Sequence, residues 1–209
     1  MNKLFIWIPK TGGTTIFEAI KDKEGMEIYL DIFSNFSNKV YYDFNNKGNV
    51  TFSHVDIRFL LKSQIINKEY WENSFKFCFV RNPYDRVVSL WNDFKKSKRI
   101  NEDTTLNQFI WNLLHKTLRP CEYNVKDYSQ CSSQVQWLLP NVNIFKFEKL
   151  DKTLNEIFNI NKVPYLNKSS NRDYTKEYDN NTLKLVTKLY YDDFCALDYP
   201  IISNINYLN

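Results

Sequence analysis

Leu4-Phe5-Ile6-Trp7-Ile8-Pro9-Lys10-Thr11-Gly12-Gly13-Thr14-Thr15-Ile16-Phe17-Glu18-Ala19-Ile20 decides how this chain is read. Its first residues are continuously apolar and stop at Pro9, as a buried parallel strand does. After the turn Lys10-Thr11-Gly12-Gly13, Ile16, Phe17 and Ile20 recur at helical spacing. Adjacent glycines permit positive φ and let a backbone approach a ligand closely. The helix start that follows offers unpaired N–H groups and a positive dipole end, a seat for phosphate. Thr14 and Thr15 add hydroxyls and Lys10 adds a point charge. The P-loop of nucleoside triphosphatases is built differently, because its lysine follows the last glycine, whereas Lys10 precedes the pair.

The same strand, turn and helix return in mid-chain. Phe75-Lys76-Phe77-Cys78-Phe79-Val80 reads as a strand and Arg81-Asn82-Pro83 as a turn, and Tyr84, Val87, Val88, Trp91 and Phe94 trace one helix face. Arg81 stands at a strand's carboxyl end, where open α/β sheets bind ligands, and a guanidinium suits bidentate phosphate binding. Ser89 falls off the apolar stripe. The residues alone leave open a plainer arrangement, in which Arg81 pairs with Asp85 and Ser89 is solvated. Arg86 reads as a surface charge.

A third strand is expected at Val142–Phe147. Helices are expected from Thr104, with the stripe Leu106, Phe109, Ile110, Leu113 and Leu114, over about Ser132–Leu139, and from about Asn181, with Leu183, Val186, Tyr190 and Phe194 on one face. Residues 22–52 and 95–130 carry weaker patterns, and irregular segments are expected within them. Strands alternating with helices give a P-loop-like, three-layer α/β fold with a small central parallel sheet flanked by helices. Scarce glycine and proline (4 and 6) leave no linker, so residues 1–209 are expected to form a single domain.

Composition narrows the function. A net charge of +4 is too mild for a duplex nucleic-acid binder but suits a pocket for one polyanion. No apolar stretch approaches the roughly 20 residues of a membrane span, and no secretory signal is visible, so a cytoplasmic location is expected. The 4 cysteines form no CxxC pair, and with only 2 histidines no metal site is expected.

Pro9–Thr15 resembles the 5'-phosphosulfate loop of sulfotransferases that use 3'-phosphoadenosine 5'-phosphosulfate (PAPS). It is closest to the heparan sulfate 2-O-sulfotransferase-like carbohydrate enzymes, with their Pro-Lys-Thr-Gly-Gly/Ser-Thr wording. The resemblance implies that Lys10, Thr11, Gly12, Gly13, Thr14 and Thr15 hold the 5'-phosphosulfate. Phe77–Trp91 resembles the family's 3'-phosphate strand and helix, which implies that Arg81 and Ser89 hold the 3'-phosphate. Lys10 is also expected to take the charge of the leaving phosphate. His54, in Thr51-Phe52-Ser53-His54-Val55-Asp56, is the expected general base. Its segment is similar to a Gly-His segment of the family, with Ser53 in place of the glycine. A structural histidine stays open as the alternative, with Asp56 as the reserve base, and His115 is explained by a helix C-terminus.

Phe147-Glu148-Lys149-Leu150, Asn167–Arg172 and Tyr190–Tyr199 resemble later family segments, the first as a structural element. Through the second, Lys168 and Arg172 are candidate contacts to the nucleotide. The resemblance implies sulfuryl transfer from PAPS to a hydroxyl, leaving 3'-phosphoadenosine 5'-phosphate (PAP). The acceptor it implies is a glycan or other sugar-bearing molecule, and no metal is involved. Two other classes compete. A nucleotide phosphotransferase would need a Gly-Lys-Ser/Thr loop and acidic Mg²⁺ ligands. A non-catalytic nucleotide-binding protein of the same fold would not need His54.

Overall fold

Five parallel strands form one sheet among the described residues: β1 (Lys3–Ile6), β2 (Met26–Ile28), β3 (Asn49–Thr51), β4 (Phe75–Val80) and β5 (Asn143–Lys146). Their order is β2-β3-β1-β4-β5, which puts β1 between β3 and β4. This computed structural model describes residues 1–29, 44–118, 129–164 and 173–208. The chain divides into two compact units, Met1–Val80 with Glu122–Asn167 and Arg81–Cys121 with Lys168–Asn209.

The first unit holds the sheet. Phe5 lies opposite Phe77 in the β1–β4 register, with ring centroids 5.1 Å apart. On that face the phenyl groups of Phe5, Phe77 and Phe79 pack with Ile16 and Ile20 of α1 (Gly13–Glu24) and with Leu150, Leu154 and Phe158 of α6 (Leu150–Phe158). Burying each such side chain contributes about 1.5–3 kcal/mol. Leu4, Ile6 and Cys78, on the alternate face, are equally buried, which is why β1 and β4 read as continuous apolar runs. Two short helices, α2 (Ile57–Lys62) and α3 (Lys68–Asn73), start at the side-chain caps Asp56 and Asn67. The buried Lys76 ammonium donates to the carbonyls of Trp71 (2.6 Å) and Ser74 (3.0 Å), and burial lowers its pKa.

The second unit is helical: α4 (Pro83–Lys96), α5 (Leu106–Leu114), α7 (Asn180–Leu189) and α8 (Tyr191–Ala196). Asn82 caps α4 and Pro83 opens it, while Thr105 and Gln108 form a capping box on α5. The expected α4 stripe is buried throughout. Tyr84 Oη meets Thr187 Oγ1 of α7 at 2.8 Å, and Asn107 Nδ2 of α5 donates to Thr182 Oγ1 of α7 at 3.2 Å.

Three expectations change. The C-terminal helix divides at Tyr190, whose φ of −118° and ψ of 29° interrupt it before α8 begins. The helix expected over 132–139 is one 3₁₀ turn, Gln134–Trp137. The stretch 22–52, where irregular segments are expected, carries β2 and β3, whereas α5 lies where the helix from Thr104 is expected; residues 30–43 and 119–128 lie outside the described residues. Among the described residues no helix is long and apolar enough to cross a membrane.

Thr51, fully buried on β3, has a hydroxyl with no hydrogen-bond partner. Thr51→Val keeps the shape and removes an unsatisfied polar atom, so chemical denaturation is expected to show a gain of about 1 kcal/mol. A loss of stability would mean that the hydroxyl is satisfied.

Candidate active site

In the first unit the loop after β1 is braced by its own residues. Lys10 and Gly12 both adopt the left-handed region, at φ 66° and 82°, the kind of backbone that turns amides into an anion-binding concavity. Between them the buried Thr11 hydroxyl donates to the Ile8 carbonyl at 2.9 Å, so this side chain closes the loop and does not project from it. Thr14 is exposed and Thr15 buried.

The glycine pair has a packing reason that its sequence does not show. A Cβ at Gly12 would meet the Phe147 ring, and a Cβ at Gly13 would fall on the Trp7 indole. Trp7 in turn stacks on Phe17 of α1 at 5.8 Å. Aromatic side chains from the segments after β1 and after β5 therefore seat the start of α1. Gly12 is its N-cap and brings no side-chain oxygen, and the first turn holds no acidic residue. Helix starts usually gather such groups; a start without them suits an external anion.

The loop after β3, beside β1 in the sheet, carries His54. Ser53 precedes it at φ 51°, the region a glycine occupies without strain, which accounts for the Gly-His wording that this segment resembles. The buried His54 places Nδ1 2.8 Å from the Trp7 carbonyl. A carbonyl only accepts, so Nδ1 bears the hydrogen, and in the neutral ring Nε2 is then the basic nitrogen. Trp7 thus contacts both functional elements of this unit, its indole seating Gly13 and its carbonyl fixing the imidazole. Asp56 is committed elsewhere: its carboxylate accepts from the Arg58 amide at 2.9 Å as the cap of α2.

In the second unit Arg81 is the residue directly after β4. Its Nε donates to Asp85 Oδ2 at 2.6 Å, the ion pair left open by the sequence. Arg81, Asp85 and Ser89 recur at four-residue spacing, so Ser89, half-buried, lies one turn beyond Asp85 on the same side of α4. The start of α4 differs from that of α1, because Asn82 caps the Tyr84 amide at 3.0 Å and Asp85 lies in the first turn. Any anion here must be drawn by the guanidinium and not by the helix end. Lys168 and Arg172 lie outside the described residues. His115 is the C-cap of α5, with Nδ1 2.9 Å from the Trp111 carbonyl.

Arg86 corrects the reading of a surface charge. Its side chain is 1% exposed, pairs with the fully buried Asp193 of α8 at 3.9 Å and lies over the Tyr190 ring. It reads as solvated in sequence because its partner comes from the far end of the chain. Among the described residues no group of three or more His, Cys, Asp or Glu side chains could hold a metal ion.

A sequence model described as the sulfotransferase family matches residues 2–200. The chain belongs to that family, and its chemistry is sulfuryl transfer. No curated protein matches it. Among solved structures, mouse sulfotransferase SULT7A1 complexed with PAP aligns over 97% of this chain and 71% of that one, at 15% identity and a TM-score of 0.46.

The buried pair gives a direct test. Asp193→Asn leaves the Arg86 charge buried without its counter-ion, and denaturant unfolding is expected to lose about 3–5 kcal/mol. The double change Arg86→Met with Asp193→Leu should recover most of it. An unchanged midpoint in Asp193→Asn would show that the pair does not hold α8 to α4.

Proposed function

We propose that this sulfotransferase moves the sulfuryl group of PAPS to a hydroxyl on a sugar-bearing acceptor, with His54 as general base. The observation that carries the reading is the His54 Nδ1–Trp7 carbonyl hydrogen bond. It leaves Nε2 as the basic nitrogen on the loop that follows β3, the strand paired with β1, whose own loop resembles the family's phosphosulfate motif.

In this reading the acceptor oxygen attacks sulfur while the bond from sulfur to the 5'-phosphate oxygen breaks. His54 Nε2 takes the hydroxyl proton. Lys10, the Gly12–Gly13 backbone and the first-turn amides of α1, with Thr14 and Thr15, receive the negative charge that collects on the departing phosphate. Stabilising that charge is the larger share of the barrier lowering in such transfers, and base assistance contributes about 10²–10⁴-fold. Thr11 serves through its backbone, because its hydroxyl is spent on Ile8. Arg81 and Ser89 hold the 3'-phosphate, with Asp85 orienting the guanidinium through Nε. Lys168 and Arg172 add charge to the same nucleotide. The product is PAP. A sugar acceptor rests on the likeness of the two phosphate motifs to carbohydrate sulfotransferases, and a cytoplasmic location on the sequence alone.

Thermal shift separates this reading from a phosphotransferase. PAP at about 100 times its dissociation constant is expected to stabilise the fold by roughly 2.7 kcal/mol, with no comparable effect of ATP and Mg²⁺. His54→Asn keeps an N–H for the Trp7 carbonyl and removes the base. It should retain the PAP shift and lose turnover of PAPS on glycan acceptors by about 10²-fold or more. A shift with ATP and Mg²⁺ alone would contradict the cofactor, and full turnover in His54→Asn would contradict the base.

A further inference from the structure

We infer that Arg58 is a positioning residue for His54, acting through Trp137, an inference that rests on His54 being the base. Arg58 is the second residue of α2, and its side chain is 46% exposed, as a surface arginine's would be. Both terminal nitrogens of its guanidinium are nevertheless engaged. Nη1 donates to Asp56 Oδ1 at 3.3 Å and to the Gln136 carbonyl, and Nη2 donates to the Leu138 carbonyl at 3.0 Å. The two carbonyls flank Trp137, the last residue of the 3₁₀ turn Gln134–Trp137.

Trp137 is 1% exposed and meets the imidazole of His54 edge-on, at 6.2 Å and 77°. Trp7 meets the same ring edge-on at 5.6 Å and 73°. The hydrogen bond to the Trp7 carbonyl selects which nitrogen carries the proton, and two indoles restrict how the ring turns about it. Trp7 is fixed by its place at the end of β1. Trp137 sits on a short 3₁₀ turn, and the Arg58 fork ties the carbonyls on either side of it to the segment that follows His54. The chain of contacts closes on itself: His54 leads by two residues to Asp56, Asp56 caps α2 and pairs with Arg58, Arg58 holds the carbonyls on either side of Trp137, and Trp137 walls the imidazole. Only a planar group with several donors in fixed directions can span a carboxylate and two carbonyls, so lysine would not substitute.

The ring nitrogens of His54 report this without any acceptor. The chain has only 2 histidines, so ¹⁵N spectra of the imidazoles are assigned by comparison with His115→Gln. In the unaltered protein His54 is expected to show one neutral tautomer, protonated at Nδ1. In Arg58→Met the two nitrogen signals are expected to converge as the ring samples both tautomers, while backbone amides outside residues 52–60 and 129–139 stay in place. Arg58→Lys should behave like Arg58→Met, and it decides the matter if the methionine variant does not fold. Wild-type His54 signals in these variants, whatever their melting temperature, would overturn the inference and reduce Arg58 to a stability contact. Full turnover in His54→Asn would instead remove the base while leaving the tautomer result standing, so the two failures are distinguishable.

Discussion

The hydrogen bond from His54 Nδ1 to the Trp7 carbonyl joins two loops that leave neighbouring parallel strands at their carboxyl ends. Much of the first unit's chemistry follows from it. Trp7 can offer that carbonyl only because β1 ends at Ile6, leaving the Trp7 oxygen outside the ladder. Its indole needs room, and the room is the missing side chain of Gly13. One residue therefore sets both the seat of α1 and the tautomer of the imidazole. Electrostatic preorganisation of this kind works because donors and acceptors stand in place before charge develops.

The two helix starts that follow β1 and β4 differ in what they offer an anion. The N-terminus of α1 has a glycine cap and no acid in its first turn, so its dipole is unspent. The N-terminus of α4 spends its first amide on Asn82 and carries Asp85, which draws Arg81 into a 2.6 Å ion pair. A bare helix end suits the group whose charge grows during reaction. A guanidinium aligned by a carboxylate suits a phosphate that is bound but does not react. Behind α4 the Arg86–Asp193 pair sits in the interior of the second unit, where the loss of one partner is far costlier than the pair itself is stabilising.

The architecture was legible where pattern is local. The apolar runs ending at Pro9 and Arg81, and the helical stripes after them, gave β1, α1, β4 and α4 because strand, turn and helix each left a period or a breaker in the sequence. β2 and β3 left neither, being three-residue strands, Met-Glu-Ile and Asn-Val-Thr, too short for a period. The break at Tyr190 carries no glycine or proline, and the apolar spacing runs straight through it. At the site, residue types and spacing pointed to Lys10, the glycine pair, His54 and Arg81. The contacts around them did not show: Phe147 against Gly12, Trp7 against Gly13 and the Trp7 carbonyl against His54 each join residues that only folding brings together, as does Asp193 against Arg86 in the second unit.

We propose that one nucleotide meets the Lys10–Thr15 loop through its 5'-phosphate and Arg81 with Ser89 through its 3'-phosphate. Calorimetric titration with PAP, adenosine 5'-monophosphate and adenosine 3'-monophosphate tests it most directly. Each monophosphate forgoes one set of charge-assisted hydrogen bonds, worth about 1.5–3 kcal/mol per bond, so each should bind at least about tenfold more weakly than PAP. Adenosine 5'-monophosphate binding as tightly as PAP would contradict the claim.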